Sequence, residues 1–239
     1  MRLMDVATAR YNLVLANRIL ANEGILDAFG HVSVRHPDRP DRYLQTWARA
    51  PQLAEDADII EFALDGTPID ANGRVPYLER FIHGAVFETR PDVTAVCHNH
   101  TTSILPFSIS KSVKLRAVIH TGWVVGNDVP VWDIADEFGA ETDLLVVNMD
   151  QGRSLARTLA ERNMALMRGH GSVVAASSVP ALVSACINMD KNARVQAQAL
   201  HFGDITPLAP GEIRRPTGTL TGPPLPDRAW EVWVRRAGF

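Results

Sequence analysis

The sequence has little cysteine: Cys97 and Cys186 are the only two among its 239 residues. Two scattered cysteines do not form a disulfide framework, so the composition predicts a protein of the reducing cytoplasm. No uninterrupted apolar run approaches the roughly 18 residues that a membrane span needs, and the first residues contain no signal-peptide core. We therefore expect neither a membrane-spanning segment nor a disulfide-stabilised secreted protein.

The sequence also lacks a strong excess of charge of either sign. It contains 24 Lys and Arg residues against 27 Asp and Glu residues, a formal net charge of -3. This balance gives no basis for binding nucleic acid or an anionic membrane surface. With 46% hydrophobic and 21% charged residues, the profile is that of an ordinary globular domain.

The length allows one domain with a sizeable core. Apolar periodicity continues to about residue 205, and the chain beyond it is rich in proline and glycine. We therefore expect one domain over residues 1–205. Residues 206–239 are expected to form a C-terminal tail that packs on the surface or on a neighbouring subunit.

Short apolar or alternating runs predict strands, and apolar positions three and four residues apart predict helices. Asp5 or Thr8 is expected to cap the first helix. The predicted strands cover 30–35, 43–47, 59–64, 96–100, 117–120, 165–171 and 172–175, with a further candidate at 144–147. The predicted helices cover 5–22, 78–89, 101–109, 151–162 and 178–202. Antiparallel-looking strands flanked by helices indicate one α/β domain, not a doubly wound parallel sheet.

The segment Val96-Cys97-His98-Asn99-His100 holds two histidines in one predicted strand. Side chains two residues apart in a strand project from the same face, so His98 and His100 are close enough to share an ion. Imidazole nitrogen binds zinc and its first-row neighbours. The alternative is two unrelated histidines at a strand end, one of them hydrogen-bonded in the core.

Glu79 and His83 lie four residues apart on the predicted helix before this strand, so they share one helix face. A carboxylate held beside a metal without binding it can act as a general acid or base. Glu79 could instead be a solvated charge, and His83 a core histidine. His170, between Gly169 and Gly171, is the natural third ligand, because glycines let the backbone turn tightly. Three histidines with an open position describe a catalytic metal.

Taken in order, these residues resemble the class II aldolase/adducin family. The resemblance rests on Glu79-x-x-x-His83, Arg90-Pro91-Asp92, residues 95–100 and Arg168-Gly169-His170-Gly171, and it extends from about residue 8 to residue 205. It implies a central, mostly antiparallel sheet with helices on both faces, assembled as a tetramer with sites near subunit interfaces. It also implies one divalent metal ion per subunit, with Glu79 as the acid/base and His98, His100 and His170 as the ligands. The metal is expected to be zinc or manganese, with cobalt or iron possible.

The sequence departs from the sugar-phosphate aldolases of this family where they bind phosphate. Their Gly-Asn-x-Ser loop is Gly30-His31-Val32-Ser33 here, their Thr-x-x-Gly region is Trp47-Ala48-Arg49-Ala50-Pro51, and their Ser-Ser pair is Tyr77-Leu78. Thr121, after His120, occupies the place of their tyrosine. Because a phosphate needs several convergent donors, a sugar-phosphate retro-aldol reaction is not expected.

The same segments resemble a decarboxylase branch of the family. Gly-His-Val-Ser, Arg-Ala-Pro, Glu-Arg-x-Ile-His-Gly and Arg-Gly-His-Gly are similar to the branch that contains the pyridine-dicarboxylate decarboxylase of vitamin B6 breakdown. Decarboxylases of dihydroxylated phthalate-type acids also look similar. The resemblance implies a metal-dependent decarboxylase of a hydroxylated aromatic or heteroaromatic acid.

In that decarboxylase, Glu79, His83 or a water they hold would deliver the proton. Arg49 is expected to pair with a second carboxylate. The alternatives are a retro-aldol lyase acting on a non-phosphorylated hydroxy-keto acid and, beyond it, an epimerase, an oxygenase or an inactive adducin-like module. The expected substrate-binding residues are His31, Ser33, Trp47, Arg49 and His120.

Overall fold

The fold is built on a seven-stranded sheet in a computed structural model that describes residues 5–213 and 228–239. The strands are β1 (His31–Arg35), β2 (Arg42–Thr46), β3 (Ile59–Ala63), β4 (Ala95–Asn99), β5 (Val131–Trp132), β6 (Met164–Met167) and β7 (Gly171–Ala176). Their order across the sheet is β3-β2-β1-β4-β7-β6-β5. Neighbouring strands are antiparallel except β5 and β6, which confirms the predicted mostly antiparallel sheet.

Helices cover both faces of the sheet. Within the described residues they are α1 (Val6–Asn22), α2 (Arg80–Thr89), α3 (Leu105–Ile109), α4 (Ile134–Phe138), α5 (Met149–Leu159), α6 (Val179–Ala199), α7 (Pro210–Ile213) and α8 (Arg228–Arg236). One apolar cluster joins α1 and α6 to one face, and a second joins α2 and α5 to the other. Strand β4 serves both, because Ala95 and Cys97 belong to the first cluster and Val96 to the second.

Capping residues fix where the helices begin. The side chain of Asp5 accepts the backbone N–H of Thr8 at 2.7 Å, which confirms Asp5 as the N-cap of α1. Helix α2 begins at Arg80, two residues later than predicted, and Glu79 stands at its N-cap without using its side chain there. The carboxylate of Glu79 is thereby left for other contacts.

The strand predicted at 117–120 is wrong, because a side chain of α6 supplies the bonds that a neighbouring strand would provide. Asn192 accepts the N–H of Val118 at 2.8 Å and donates to the carbonyl of Arg116 at 2.6 Å. Asn192 is fully buried, and these bonds satisfy partly buried backbone groups of the segment. The chain then continues into a 3₁₀ helix, His120–Val125.

The strand candidate at 144–147 is also wrong. Leu144 has a φ of 61°, a left-handed conformation that a strand excludes. The N–H of Val146 donates to Glu79 at 3.0 Å, and the N–H of Val147 donates to Gln151 at 2.8 Å. This segment therefore bonds to side chains and supports one edge of the candidate site.

The C-terminal part of the chain is described in two pieces. Residues 206–213 end in α7, and residues 228–239 contain α8, whose Trp233 is buried against the cluster of α1 and α6. The remainder of the predicted tail, 214–227, lies outside the described residues, and the division at residue 205 stays a prediction. No helix in the described ranges is long and apolar enough to cross a membrane.

Candidate metal centre and active site

Four potential metal ligands converge beside the ends of β4 and β7. The Nε2 atom of His100 lies 3.0 Å from that of His98 and 3.2 Å from that of His170. The Oε2 atom of Glu79 lies 3.2 Å from the Nε2 of His98 and 3.5 Å from that of His170. All four ligand atoms lie within 4.8 Å of one another. The structure thus brings together the three predicted ligands and the predicted acid/base.

Two glycines allow this convergence. Gly169 has a φ of 65°, which gives the turn that presents His170. Gly171 packs against the end of β4, where a Cβ atom would stand 2.2 Å from the carbonyl oxygen of Asn99 and 3.2 Å from the ring of His100. Glycine at these positions therefore lets the turn before β7 approach the ligands at the end of β4.

Each imidazole is oriented by a partner at its outer nitrogen. The Nδ1 of His98 contacts the carbonyl of Ser172 at 3.1 Å, and the Nδ1 of His170 contacts the carbonyl of Leu144 at 2.8 Å. The Nδ1 of His100 contacts the carboxylate of Asp27 at 3.0 Å. These contacts leave all three Nε2 atoms directed at the same point.

The outer contacts also decide which ring nitrogen carries the proton. Carbonyl oxygens only accept, so Nδ1–H of His98 and of His170 donates, and in that tautomer each ring directs an Nε2 lone pair to the centre. Lone pairs and a carboxylate that face one another at 3.0–3.5 Å repel unless a cation lies among them. Four ligands at about 2.0–2.1 Å from a tetrahedral ion would lie about 3.3 Å apart, close to this spacing. The donor set therefore fits a divalent first-row metal.

Glu79 is held inside this cluster. It is 7% exposed, and its Oε1 accepts the N–H of Val146 at 3.0 Å. Burial raises the pKa of its carboxyl group, but His98 and His170 outweigh that effect and hold the pKa well below its ordinary value. The ionised carboxylate can bind a metal or exchange a proton beside it, so the role of Glu79 stays a prediction.

The neighbouring imidazoles are shifted in opposite directions. Burial, reinforced by His98, lowers the pKa of His100, which keeps that ring neutral and able to bind a metal at neutral pH. Burial would also lower the pKa of His170, but the carboxylate of Glu79 reverses the shift and raises it. Without a metal, His170 and Glu79 thus favour a shared proton, which metal binding would displace.

Three predicted site residues form a second cluster next to the ligands. His31 Nδ1 lies 2.6 Å from His83 Nε2, and His83 Nδ1 lies 2.6 Å from Ser33 Oγ. The ring centroid of His31 is 5.2 Å from that of His98. His83 and Ser33 are fully buried, whereas His31 lines the cavity described below. His83 therefore does not face a substrate directly.

The other predicted substrate-binding residues lie outside this cavity wall. The indole N–H of Trp47 donates to Asp58 at 2.7 Å. The guanidinium of Arg49 lies 5.8 Å from the Trp47 ring, and its buried Nε is 3.6 Å from Asp58, too far for a hydrogen bond. His120 is exposed at the start of its 3₁₀ helix. The substrate-binding role of these residues stays a prediction.

A cavity of about 700 Å³ opens onto the ligand cluster. Its walls are largely apolar, and the charged residues in its described lining are the carboxylates Glu79 and Asp143. Phe29, Val75 and Leu78 form an exposed apolar rim, with 73%, 67% and 62% of their surfaces accessible. Such a cavity suits a planar, partly apolar molecule with one polar end at the ligands.

Sequence reasoning missed the groups that orient the ligands. Asp27 is 73 residues from His100 along the chain, and no local pattern connects them. Leu144 and Ser172 act through backbone carbonyls, which any residue type supplies. Gln45, whose Nε2 lies 3.2 Å from His31 Nδ1, was also not predicted. The sequence did offer one signal for Asp27, the Asp27-x-x-Gly30 spacing of a turn. In the structure Asp27 accepts the N–H of Gly30 at 2.8 Å in that turn.

The sequence matches a known family model over most of its length. The model of the class II aldolase and adducin N-terminal domain matches residues 12–197. A relative named decarboxylase tropJ, from Talaromyces stipitatus, is 32% identical over 240 residues, covering 91% of this chain and 89% of its own. The 3,4-dihydroxyphthalate decarboxylase of Arthrobacter keyseri is 28% identical and covers 82% of this chain and 81% of its own.

Solved structures share the fold. An L-fuculose 1-phosphate aldolase from Glaciozyma antarctica superposes with a TM-score of 0.72 at 26% identity, covering 87% of this chain and 79% of its own. An aldolase II superfamily protein from Pseudomonas syringae superposes with a TM-score of 0.78 at 19% identity, covering 96% and 91%. These likenesses confirm the predicted fold.

Proposed function

The chain belongs to the class II aldolase and adducin family, and on that premise we propose that it is a divalent-metal-dependent decarboxylase of a hydroxylated aromatic or heteroaromatic carboxylic acid. The observation that supports this most is the convergence of three imidazoles and Glu79 at the wall of a largely apolar cavity. Apolar walls suit an aromatic ring, and a metal suits its oxygen substituents. Decarboxylases among the relatives support the same reaction class.

In this proposal, His98, His100 and His170 hold the metal through their Nε2 atoms. When bound, a divalent cation supplies Lewis-acid stabilisation for negative charge on the substrate's oxygens. Asp27 and the two backbone carbonyls keep the imidazole rings in the binding tautomer and orientation. The native metal is proposed to be zinc or manganese, with cobalt or iron accepted by the same nitrogen ligands.

Glu79 is proposed to move the proton. Its Oε2 lies 3.2 Å from His98 Nε2, beside the proposed ligands, where it can accept the proton of the substrate's ring hydroxyl. The bond between the ring and the carboxylate then breaks, carbon dioxide leaves, and the electron pair remains on the ring carbon. Glu79 returns the proton to that carbon and solvent restores the hydroxyl, so one proton is consumed for each carbon dioxide released.

A retro-aldol lyase acting on a non-phosphorylated hydroxy-keto acid is the alternative, favoured by the similarity to an L-fuculose 1-phosphate aldolase. Both reactions leave negative charge next to an oxygen, and they differ in the leaving group. His31, Ala48 and Leu78 line the cavity in the three segments where phosphate donors were expected to be missing. We therefore favour decarboxylation over cleavage of a sugar phosphate as the reaction of this protein.

We further propose a homotetramer with sites near subunit interfaces, and the exposed apolar rim of the cavity is the surface that an interface of this kind would cover. Phe29, Val75 and Leu78 expose apolar surface around the opening, and contiguous exposed apolar surface is typical of an interaction site. The proposed setting is a cytoplasmic homo-oligomer that acts on a small-molecule carboxylate, without nucleic acid or membrane as a partner.

The test is a product assay on the metal-analysed protein. Hydroxybenzoates, hydroxyphthalates and hydroxypyridine carboxylates are incubated with it, alongside a hydroxy-keto acid and L-fuculose 1-phosphate. We expect carbon dioxide and the decarboxylated ring in equal amounts, loss of activity on chelation, and recovery with zinc or manganese. Aldehyde and ketone products without carbon dioxide would transfer the assignment to the retro-aldol lyase.

A further inference from the structure

Ser33, His83 and His31 form a hydrogen-bonded row that runs from the core to the cavity wall. Ser33 and His83 are fully buried, and His31 is 1% exposed and lines the cavity. The two contacts along the row are both 2.6 Å. Burying two imidazoles and a hydroxyl on β1 and α2 costs free energy that apolar side chains would not cost. The proposed proton transfer through Glu79 does not use this row.

The direction of the hydrogen bonds in this row is set at its buried end. The hydroxyl of Ser33 has His83 Nδ1 as its partner among the described residues, so donation to that nitrogen is what satisfies its O–H. His83 must then carry its proton on Nε2 and donate it to His31 Nδ1. Burial lowers the pKa of His83 to about 3, which is consistent with a neutral ring holding one proton.

His31 accepts the His83 proton on its Nδ1 atom, 2.6 Å from His83 Nε2. A neutral imidazole has one lone pair, on the nitrogen without the proton, so the proton of His31 is then on Nε2. Within the described residues that Nε2 has no protein partner, and the ring forms part of the cavity wall. The row therefore presents one N–H group to the cavity beside the metal cluster.

We propose that Ser33 and His83 are positioning residues that fix His31 as the tautomer donating its Nε2–H to an oxygen of the bound acid. This inference rests on the proposed function, because the acceptor is the carboxylate or ring oxygen of a hydroxy-aromatic acid. A neutral donor that packing already holds in place does not have to reorient when negative charge develops on that oxygen. His83 thus acts through His31 and does not deliver the proton itself.

The first test separates the two ring nitrogens of His31. Glutamine places an amide N–H near the position of Nε2, and asparagine places one nearer that of Nδ1. For zinc-loaded protein titrated with 2-hydroxybenzoate, we expect His31→Gln to bind within about threefold of wild type and His31→Asn to bind at least about tenfold more weakly. Equal binding by the two variants at equal zinc content would overturn the inference.

The second test removes or keeps the donor at His83. His83→Gln keeps an N–H that can reach His31, whereas His83→Leu fills similar volume without one. We expect His83→Leu to weaken 2-hydroxybenzoate binding about tenfold and His83→Gln to retain most of it. His36→Leu is the matched control, because His36 is also buried but bonds to the backbone of Asp38 and Arg39 away from the cavity.

Melting temperature and zinc content are recorded for every variant. A purely structural role predicts that His83→Leu lowers stability like His36→Leu and leaves the affinity for the acid unchanged, which would overturn the inference. If His83→Leu does not fold, the two His31 variants decide alone. Absence of carbon dioxide release by wild type from every acid would remove the proposed decarboxylase, whereas the binding titrations would still report on the His31 tautomer.

Discussion

At the scale of single residues, His170 carries the strongest prediction about the metal. Its Nε2 lies 3.2 Å from that of His100, while its Nδ1 is held by the carbonyl of Leu144, so the ring is oriented toward the other proposed ligands. We expect His170→Ala to lose most of its bound zinc in elemental analysis. His201→Ala is the control, because His201 is exposed and bonds to the carbonyl of Ala197. Full zinc occupancy in His170→Ala would remove it from the ligand set.

Glu79 carries the prediction about proton transfer. Glu79→Gln preserves size and can still accept the N–H of Val146, but it cannot exchange a proton. We expect near-normal zinc content and binding of the acid, with turnover reduced on the order of 10²–10⁴-fold. Elemental analysis separates the alternatives, because loss of zinc would make Glu79 a ligand. Unchanged turnover would mean that the proton comes from another group.

The types of the ligand residues were visible in the sequence, but the contacts that orient them were not. The spacing of His98 and His100 predicted that they share a site, and the flanking glycines of His170 predicted that it joins them. The row from Ser33 to His31 was not visible, because His83 was placed on a helix face with Glu79 and assigned to the same chemistry. In the structure Glu79 ends outside α2 while His83 points into the core. Two residues four apart share a helix face only if both are inside the helix, and α2 begins after Glu79.

At the scale of elements, the turn between α1 and β1 sets the orientation of His100, one of the proposed ligands. Asp27 accepts the N–H groups of Phe29 and Gly30 and holds the Nδ1 of His100. Burial raises the pKa of Asp27, but these bonds outweigh it and lower the pKa, so the carboxylate is ionised at neutral pH. The turn therefore delivers a fixed negative charge to the outer nitrogen of the ligand.

Asp27→Asn keeps an oxygen for the turn and removes the charge. We expect it to weaken zinc affinity about tenfold or more, in the range that loss of a ligand-orienting group produces. A competition titration against a chromogenic chelator measures the change. Asp65→Asn is the matched control, because Asp65 likewise accepts a backbone N–H two residues on, from Thr67, away from the site. Equal affinities in the two variants would contradict the role of Asp27.

Helix α6 holds the 114–119 segment with side-chain amides. Asn192→Leu leaves the N–H of Val118 and the carbonyl of Arg116 without their partner, at about 1–2 kcal/mol for each of these partly buried groups. We expect the free energy of unfolding in urea to fall by about 2–4 kcal/mol. Asn188→Leu, on the same helix and bonded only to Ser184 among described contacts, should cost much less. Similar losses in both variants would contradict the assignment.

The same helix explains which elements the sequence could predict. Long helices and the paired central strands follow from periodicity and were found within a few residues. The 117–120 and 144–147 segments are β-branched and apolar, but their backbones bond to side chains from α6, α5 and Glu79, which come from distant parts of the chain. The two-residue β5 and the five-residue α4 were not predicted, because they are shorter than any pattern that identifies them.

At the scale of the whole molecule, the sheet assembles a cavity whose described lining from this chain contains two carboxylates and no lysine or arginine. Of the proposed metal and acid/base residues, His98 lies in β4, His100 directly follows it, His170 lies in the turn before β7, and Glu79 is the N-cap of α2. Asp143 comes from the loop before α5. Arg49, expected to bind a second carboxylate, lies outside the described lining, with its Nε 3.6 Å from Asp58, and its role stays a prediction. Within the described lining, a second carboxylate on the ring would therefore face Asp143 and the apolar rim rather than a cation.

We expect a hydroxy-aromatic monoacid to be a better substrate than the matching diacid. The comparison uses 2-hydroxybenzoate and 3-hydroxyphthalate, which differ by one carboxylate, with carbon dioxide release followed over a range of concentrations. Repulsion and the missing counter-charge should raise KM for the diacid more than they lower kcat. A lower KM for the diacid would show that a cation reaches the cavity, and Arg49→Ala would then be the variant that identifies it.

Reversing one charge should change this preference. Asp143→Arg places a guanidinium at the cavity wall, where a hydrogen bond to a carboxylate is worth about 1.5–3 kcal/mol. We expect KM for 3-hydroxyphthalate to fall about tenfold and that for 2-hydroxybenzoate to change little. Asp150→Arg makes the same change of charge on α5, at a residue that is 85% exposed and outside the cavity lining. If both variants lower the two KM values alike, the effect is long-range attraction of anions, and the local charge of the cavity does not set the substrate preference.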